Sequence, residues 1–193
     1  MIHSTADVDP TAQIGDGTKI WHHAQVREGA IIGDNCTVGK GVYIDRQVKI
    51  GSNVKIQNGA QLFHGVSVED GVFIGPGVIL ANDTYPRSVM PDGRLKVDSD
   101  WTQGILVVKE GASIGAGCII LPDLEVGSWS LIGAGSLVNK DVFPQALMVG
   151  TPAYQIGYVC RCAKKLTQRD NSWFCPDCNL DYVPNQAREA DLN

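Results

Sequence analysis

Four cysteines near the end of the chain are spaced as a metal-binding set. They form Cys160-Arg161-Cys162 and, after twelve intervening residues, Cys175-Pro176-Asp177-Cys178. Two such pairs are typical of a zinc ribbon, in which four thiolates surround one Zn²⁺ as a tetrahedron. Four thiolates leave no open coordination position, so the spacing predicts a structural metal. The first pair is Cys-x-Cys, and Asn179 stands where ribbons often carry glycine, so a degenerate ribbon without metal is the alternative.

His64 has the side chain best suited to moving a proton. Histidine titrates close to neutral pH, so a neutral imidazole in a cleft would suit a general base. His64 follows Leu62-Phe63 at the third place of a six-residue unit, where its side chain is expected to point outward. A solvent-exposed histidine without a role is the alternative. We expect a structural role for His22 and His23 beside Trp21.

The six-residue unit is the main signal in the sequence. Every sixth residue from Ile2 to Leu80 is Ile, Val or Leu, fourteen times in succession, and the place four residues later carries a mostly smaller residue such as Ala24. The frame returns at Val108 but out of phase with its first part. The break predicts a loop extruded from the repeat over about residues 86–107, and loops of this length inside a domain usually have a function.

A period of six fits short strands separated by sharp corners, because an α-helix would repeat its apolar face every 3.6 residues. One such unit cannot bury its aliphatic residues alone, so the units must stack as a solenoid with a continuous core. The strands of a β-sandwich would not keep one phase over so many units. Cys36 and Cys118 fall on the smaller interior place, which predicts core residues rather than ligands.

Length and composition predict one main domain with a small appendage. The divisions expected are a β-helix over 1–157, the cysteine-rich appendage over 158–183 and a polar tail over 184–193. The formal net charge of −5 argues against nucleic acid as a partner. The sequence has neither a membrane-spanning apolar stretch nor a signal-peptide pattern, so we expect no membrane insertion and a cytoplasmic location.

Two repeats carry a family resemblance. Ile14-Gly15-Asp16-Gly17-Thr18 and Ile114-Gly115-Ala116-Gly117-Cys118 resemble the hexapeptide-repeat acyltransferases. The resemblance implies an all-β fold, a left-handed parallel β-helix in which three hexads make one coil of a triangular prism. It also implies a homotrimer whose active sites lie in the clefts between subunits. The left hand rests on the resemblance alone, because parallel crossovers are usually right-handed.

A finer resemblance covers about residues 2–160. The segments 20–23, 55–59, 73–77 and above all Asn82-Asp83-Thr84-Tyr85-Pro86-Arg87 are similar to the branch that N-acetylates 3-amino-sugars on UDP or dTDP carriers. It implies acetyl-CoA as co-substrate and a nucleotide-linked amino sugar as acceptor. The UDP-aminouronate enzymes carry an acidic residue where this chain has His64, which leaves the exact sugar open.

The resemblance also implies roles for individual residues. His64, Asn82 and Asp83 are the candidate catalytic residues, and an Arg such as Arg87 can form a two-pronged contact with a diphosphate or carboxylate. The candidate substrate-binding residues are Gln57, Asn58, Tyr85 and Arg87. Coenzyme A is expected along the coils after the loop, where small residues allow close approach. The candidate CoA-binding residues are Gly115, Ala116, Ala134, Lys140, Thr151 and Pro152.

Three other functions are consistent with parts of the pattern. A sugar O-acetyltransferase of the same fold would need a firm general base to activate a hydroxyl group. A hexapeptide-repeat carbonic anhydrase needs three histidines around a metal, and the histidines at 3, 22, 23 and 64 lack a suitably spaced pair. A non-catalytic β-helix binding module would show no CoA binding.

Overall fold

The computed structural model describes residues 1–169 and 172–182, and within them the chain forms a parallel β-solenoid. Successive strands enter three sheets in turn, so every third strand stacks on the one a coil earlier. The predicted β-helix of hexapeptide repeats is therefore confirmed as an all-β fold. The predicted tail over 184–193 lies outside the described residues.

The three sheets are built from very short strands. The first sheet contains β1 Asp7–Val8, β4 Gln25–Val26, β7 Tyr43–Ile44, β10 Gln61–Leu62, β13 Ile79–Leu80, β16 Ile119–Ile120 and β19 Leu137–Val138. The second contains β2 Gln13–Ile14, β5 Ile31–Ile32, β8 Lys49–Ile50, β11 Val66–Val68, β14 Leu106–Val108 and β17 Leu124–Val126. The third contains β3 Lys19–Ile20, β6 Thr37–Val38, β9 Lys55–Ile56, β12 Phe73–Ile74, β15 Ser113–Ile114, β18 Leu131–Ile132, β20 Ala146–Gly150 and β21 Ala153–Tyr158.

The sheets meet at three corners, each of which is a column of residues that follow the strands of one sheet. Corner I leads from the first sheet to the second, corner II from the second to the third, and corner III from the third to the first sheet of the next coil. The register between neighbouring coils is usually 18 residues, as in the pairing of Gln61 with Tyr43. Residues 18 apart in sequence therefore stack at the same corner.

The interior is a continuous column of the repeated aliphatic residues. Ile20, Ile44, Ile56 and Ile74 have no exposed surface, and the smaller interior places, such as Ala24, are also buried. Each two-residue strand turns its second side chain inward and its first outward, as the alternation of a strand requires. The hydrophobic burial of stacked coils thus explains why the period of six persists.

Glycine serves the corners in two different ways. Gly77, at the third place of a corner, has φ of 66°, where a side chain is disfavoured. Gly33 directly follows an inward aliphatic residue, and a Cβ there would lie 2.7 Å from the carbonyl carbon of Gly51 in the next coil. Positive φ is also adopted by non-glycine corner residues, including Asn35 and Asn53, so glycine is required most where the coils approach closely.

The predicted loop is present between β13 and β14. Ser67 of β11 pairs with Val107 of β14, a separation of 40 residues, so the intervening chain leaves the solenoid and returns to it. The loop contains a short hairpin, in which Val89 pairs with Leu95, and a 3₁₀ turn at Asp98–Asp100. The regular coils end at Leu80 and resume at Leu106, close to the expected limits.

After the last coil the chain leaves the parallel arrangement. Strand β21 runs antiparallel to β20, and a separate antiparallel sheet follows, made of β22 Thr167–Arg169, β23 Ser172–Cys175 and β24 Leu180–Tyr182. A small core of Cys160, Leu166 and Cys175 lies within this appendage. The division at residues 157 and 158 stays a prediction. No helix in the described part of the chain is long and apolar enough to span a membrane.

Candidate functional site

Corner I stacks three of the chemically active side chains in one column. Arg46, His64 and Asn82 occupy the same place of corner I on three successive coils, and each lies 18 residues after the one before it. His64 is half-buried, and its Nδ1 lies 2.8 Å from the carbonyl oxygen of Arg46. A carbonyl oxygen only accepts hydrogen bonds, so Nδ1 carries a proton, and in the neutral imidazole Nε2 keeps a free lone pair. The corner therefore presents the imidazole as a base at Nε2.

Asp45 fixes the backbone of this corner. Its carboxylate accepts hydrogen bonds from the backbone N–H of Arg46 at 2.7 Å and of His64 at 3.2 Å, and it forms an ion pair with Arg27 at 3.4 Å. Its side chain is only 13% exposed. The sequence analysis missed Asp45, although an acid directly after the inward Ile44 departs from the glycine often found at that place.

Trp101 brings the extruded loop against the corner. The centroid of its indole lies 6.2 Å from that of the His64 ring, and its Nε1 donates a hydrogen bond to the carboxylate of Asp83. Sequence analysis placed Trp101 only within the loop and assigned it no contact. Because Asp83 is engaged by the loop, its carboxylate is suited to anchoring a ligand or the loop rather than to accepting a substrate proton.

An ion pair inside the loop positions Trp101. Arg94 donates two hydrogen bonds to the neighbouring Asp100, at 2.6 and 2.9 Å. These hydrogen bonds from Arg94, together with one from the backbone N–H of Val97, hold the pKa of Asp100 well below its usual range. The loop therefore has internal order next to the corner.

A cavity of about 630 Å³ lies between corner I and the loop. Its walls contain four predicted site residues, namely Asn82, Asp83, Tyr85 and Arg87. They also contain Arg46, Lys96 and Trp101, which sequence analysis did not select. His64 lies beside this wall, next to Trp101. Of the predicted substrate-binding residues, Tyr85 and Arg87 thus converge with Asn82, Asp83 and additional cations.

Gln57 and Asn58 lie elsewhere. They follow β9 and belong to corner III, and Asn58 Oδ1 accepts a hydrogen bond from the backbone N–H of Lys40 at 2.9 Å. That bond ties neighbouring coils together. The structure does not bring these two residues to the cavity beside His64 within one chain.

Corner III also carries five of the six candidate CoA residues. Gly115 and Ala116 lie on one coil and Ala134 on the next, and a Cβ on Gly115 would lie 2.5 Å from the backbone nitrogen of Ala134. Thr151 and Pro152 follow β20 at the same corner, where Thr151 Oγ1 donates to the carbonyl oxygen of Gly135.

Lys140 is the exception, because it follows β19 and belongs to corner I. Apart from Gln57 and Asn58, one chain therefore carries the candidate acceptor residues and nearly all the candidate CoA residues on different corners.

The four cysteines of the appendage converge as the spacing predicts. Their sulfur atoms all lie within 4.8 Å of one another, with Cys160 and Cys178 at 3.7 Å and Cys162 and Cys175 at 3.6 Å. Four thiolates about 2.3 Å from a zinc ion have sulfur–sulfur edges of about 3.8 Å, whereas a disulfide needs about 2.05 Å. The cluster has the dimensions of a tetrahedral metal site.

The backbone around the cysteines is that of two matching turns. Ala163 and Asn179, which directly follow the second cysteine of each pair, have φ of 68° and 53°. Asn tolerates this left-handed region better than most residues, so Asn179 replaces the usual glycine without breaking the turn. The Cys178 N–H also points at Cys175 Sγ, at 3.4 Å.

Hydrogen bonds within the cluster favour ionisation at Cys160. Burial opposes its thiolate, but the backbone N–H of Cys162, the hydroxyl of Tyr182 and the neighbouring thiols lower its pKa to about 6. The Cys162 and Cys160 thiols in turn raise the pKa of Cys178 to about 12. The surroundings of Cys160 therefore favour the thiolate, the form that a metal binds.

Comparison with known proteins identifies relatives of the repeat and of the whole chain. The family model "Bacterial transferase hexapeptide (six repeats)" matches residues 11–46 and 47–82, and "Hexapeptide repeat of succinyl-transferase" matches residues 29–64. A dTDP-3-amino-3,6-dideoxy-alpha-D-galactopyranose 3-N-acetyltransferase from Aneurinibacillus thermoaerophilus is 48% identical over 182 residues, which are 94% of this chain and 90% of that protein. A galactoside O-acetyltransferase from Lactococcus lactis is 35% identical, over 46% of this chain and 38% of its own length.

Solved structures share the fold at lower identity. LpxA, a UDP-N-acetylglucosamine acyltransferase from Bacteroides fragilis, aligns with a TM-score of 0.67 and 20% identity, over 81% of this chain and 60% of that one. PerB from Caulobacter crescentus, in complex with CoA and GDP-perosamine, aligns with a TM-score of 0.50 and 22% identity, over 81% of this chain and 56% of that one.

Proposed function

We propose that this chain, which belongs to the hexapeptide-repeat acyltransferases, moves acetyl from acetyl-CoA to the amino group of a dTDP-linked 3-amino-sugar. The proposal rests on its similarity, along nearly the full length of the chain, to a sugar N-acetyltransferase. The identity of 48% along 94% of the chain carries the assignment of the reaction. The cavity at corner I lies beside the imidazole of His64, whose Nε2 is free to accept a proton, and this arrangement supports the same acceptor chemistry.

In this proposal His64 handles the proton of the amine. The amine must be neutral to attack, and Nε2 of His64 is free to accept its proton because Nδ1 is bound to the Arg46 carbonyl. Asn82, one coil further on, would orient the amine, and Asp83, held by Trp101, would anchor the sugar.

The transfer forms one bond between heavy atoms, breaks another, and moves one proton from nitrogen to sulfur. The amine nitrogen bonds to the thioester carbonyl carbon, the carbon–sulfur bond breaks, and the CoA thiolate leaves with the proton that the imidazole returns. The charge that gathers on the carbonyl oxygen needs a nearby donor, for which a backbone N–H of the coils is suited. Holding both substrates in one cleft supplies much of the remaining acceleration.

The division of the site between two corners supports a homotrimer. A complete active site needs an acceptor corner and a CoA corner, and one chain places His64 and Ala134 on different edges of the prism. A closed ring of identical subunits can set corner I of one subunit against corner III of its neighbour. We therefore propose that acetyl-CoA lies along corner III of one protomer and the sugar at corner I of the next.

The test of the reaction is thiol release from acetyl-CoA with dTDP- and UDP-linked 3-amino-sugars as acceptors. Release with an amino sugar and none with the matching 3-hydroxy sugar is the expected result. Equal or faster release with the hydroxy sugar would instead establish an O-acetyltransferase. Absence of both release and CoA binding would favour a non-catalytic binding module.

The four cysteines support a structural Zn²⁺ as a second element of the proposal. Their sulfur–sulfur distances fit a tetrahedral thiolate site, and four thiolates leave no position for a substrate. We expect about one zinc per chain by elemental analysis, and a cobalt-substituted protein with thiolate charge-transfer absorption. The variant Cys175→Ser should lose the metal, whereas Cys118→Ser, in the solenoid core, should retain it. Metal-free purified protein with four titratable thiols in the appendage would contradict the assignment.

The reduced cysteines bear also on location. Disulfides are rare in reducing compartments, and a thiolate zinc site is stable there. We propose the cytoplasm as the site of action.

A further inference from the structure

The hairpin of the extruded loop brings two cations to the same side of the cavity. The backbone N–H of Lys96 donates to the carbonyl oxygen of Ser88 at 3.0 Å, and Val89 pairs with Leu95. Arg87 therefore lies at the base of one arm of the hairpin and Lys96 at the base of the other. Both side chains line the cavity of about 630 Å³.

Arg46 supplies a third cation from the solenoid. It occupies corner I one coil before His64, is half-buried, and lines the same cavity. None of these three cations forms an ion pair with a residue that the structure describes. Three unpaired cations that converge from two separate elements have a geometry suited to a multivalent anion.

The acids near the cavity are largely engaged elsewhere. Asp100 is paired with Arg94, and Asp83 accepts the hydrogen bond from Trp101. The walls thus contain two carboxylates, Asp83 and Asp98, against three cations. The cavity therefore keeps an excess of positive charge in a chain whose net charge is −5.

Arg46 links this charge to the candidate base. Its carbonyl oxygen holds Nδ1 of His64 at 2.8 Å, and the same residue lines the cavity. In a nucleotide-linked 3-amino-sugar the diphosphate is attached at C1, and a single ring carbon separates C1 from the carbon that bears the amine. An anion held by Arg46 would thus bring the amine close to the imidazole.

We propose that Arg46, Arg87 and Lys96 form the binding site for the diphosphate of the acceptor, and that Arg46 sets the distance between that diphosphate and His64. The proposal rests on the proposed function, and it adds that a single chain binds the whole acceptor diphosphate. Loss of Lys96, which only binds the diphosphate, should mainly raise the KM for the sugar, whereas loss of Arg46 should raise the KM and also lower kcat, because Arg46 positions the amine at His64.

The experiment measures binding of dTDP, thymidine and CoA separately by calorimetry to the full-length protein. Arg46→Gln and Lys96→Gln should each weaken dTDP binding at least about tenfold, since a charge-assisted hydrogen bond contributes that much or more. Thymidine, which lacks the diphosphate, should bind all variants alike. Lys165→Gln, at an exposed lysine of the appendage, is the matched control for loss of one positive charge.

The CoA arm separates the two possible sources of a diphosphate, because CoA carries one of its own. A loss of CoA binding with unchanged dTDP binding in Arg46→Gln would assign the cations to CoA and overturn the proposal. Unchanged dTDP affinity in both variants, or no dTDP binding by the wild type, would overturn it as well. Arg46→Lys should recover part of the lost affinity, which shows that the corner remains folded.

Failure of the proposed function gives a different pattern. If dTDP binds through Arg46 and Lys96 while no amino sugar releases thiol, the diphosphate site stands and the acetyl-transfer assignment is wrong.

Discussion

Mixing two inactive variants tests whether each active site is built from two chains. His64→Ala removes the candidate base at corner I, and Ala134→Tyr places a bulky side chain at corner III, where CoA is expected. Ala134 is exposed, so the new ring can be accommodated outside the core. Each variant alone should have little activity, because general-base catalysis typically contributes 10²–10⁴-fold.

The size of the recovery follows from the placement of the two corners. If each cleft combines corner I of one subunit with corner III of its neighbour, a random equal mixture has an intact corner I in half of the clefts and an intact corner III in half. The co-expressed mixture should therefore reach about a quarter of wild-type activity in a closed homo-oligomer. A site contained within one chain would give essentially none.

A second mixture serves as the control. The double variant, with His64→Ala and Ala134→Tyr in the same chain, is co-expressed with wild type in equal amounts. Sites shared between chains again predict about a quarter of wild-type activity, whereas sites within one chain predict about a half. Differently tagged chains, purified in tandem, establish that mixed oligomers have formed. No recovery in the first mixture, together with half activity in the second, would refute the shared site.

Three further predictions concern the loop and its contact with corner I. Trp101→Leu removes the indole beside His64 and the hydrogen-bond donor to Asp83. The kcat/KM for the amino sugar should therefore fall by about ten- to a hundredfold, with CoA binding unchanged. An unaltered kcat/KM would contradict a role for this ring. The hydrogen bond from Arg94 lowers the pKa of Asp100, so the ion pair stabilises the loop at every pH above the usual pKa range of aspartate. This stabilisation weakens only as the pH falls below that range. The rate of limited proteolysis within the loop should then stay constant from pH 8 to 5 in the wild type, once corrected for the pH dependence of the protease, and Asp100→Asn should be cleaved faster across that whole range. Gly65→Ala introduces a Cβ at φ of 94° against the backbone oxygen of the returning loop, so the free energy of unfolding should fall by about 1–3 kcal/mol, as measured by denaturant titration.

Much of the architecture could be predicted from the sequence because its cause is local. Each six-residue unit contains its own inward aliphatic residue, corner and outward polar place, so the period survives without knowledge of distant contacts. The same holds for the interruption after Leu80, which the structure confirms as a loop. The four cysteines converge as predicted because each pair lies within its own tight turn.

Arg46, which sequence analysis missed, is related to the predicted residues His64 and Asn82 by a longer period. Arg46, His64 and Asn82 are 18 residues apart, and this spacing places them in one column because three units make one coil. Gln57 and Asn58 are not separated from these residues by a multiple of 18, so they lie at a different corner. The signal was present in the sequence, but the period of six alone does not distinguish the three corners.

The remaining contacts were decided by tertiary structure alone. The contact of Trp101 with His64 and Asp83, and the convergence of Lys96 with Arg46, depend on how an irregular loop folds back on the solenoid. No repeat governs that path. It is fixed by particular hydrogen bonds, such as the ion pair of Arg94 with Asp100. The sequence by itself determined the solenoid, because stacking buries every repeat in the same way, whereas only the tertiary structure could join the loop to corner I, because those contacts occur once.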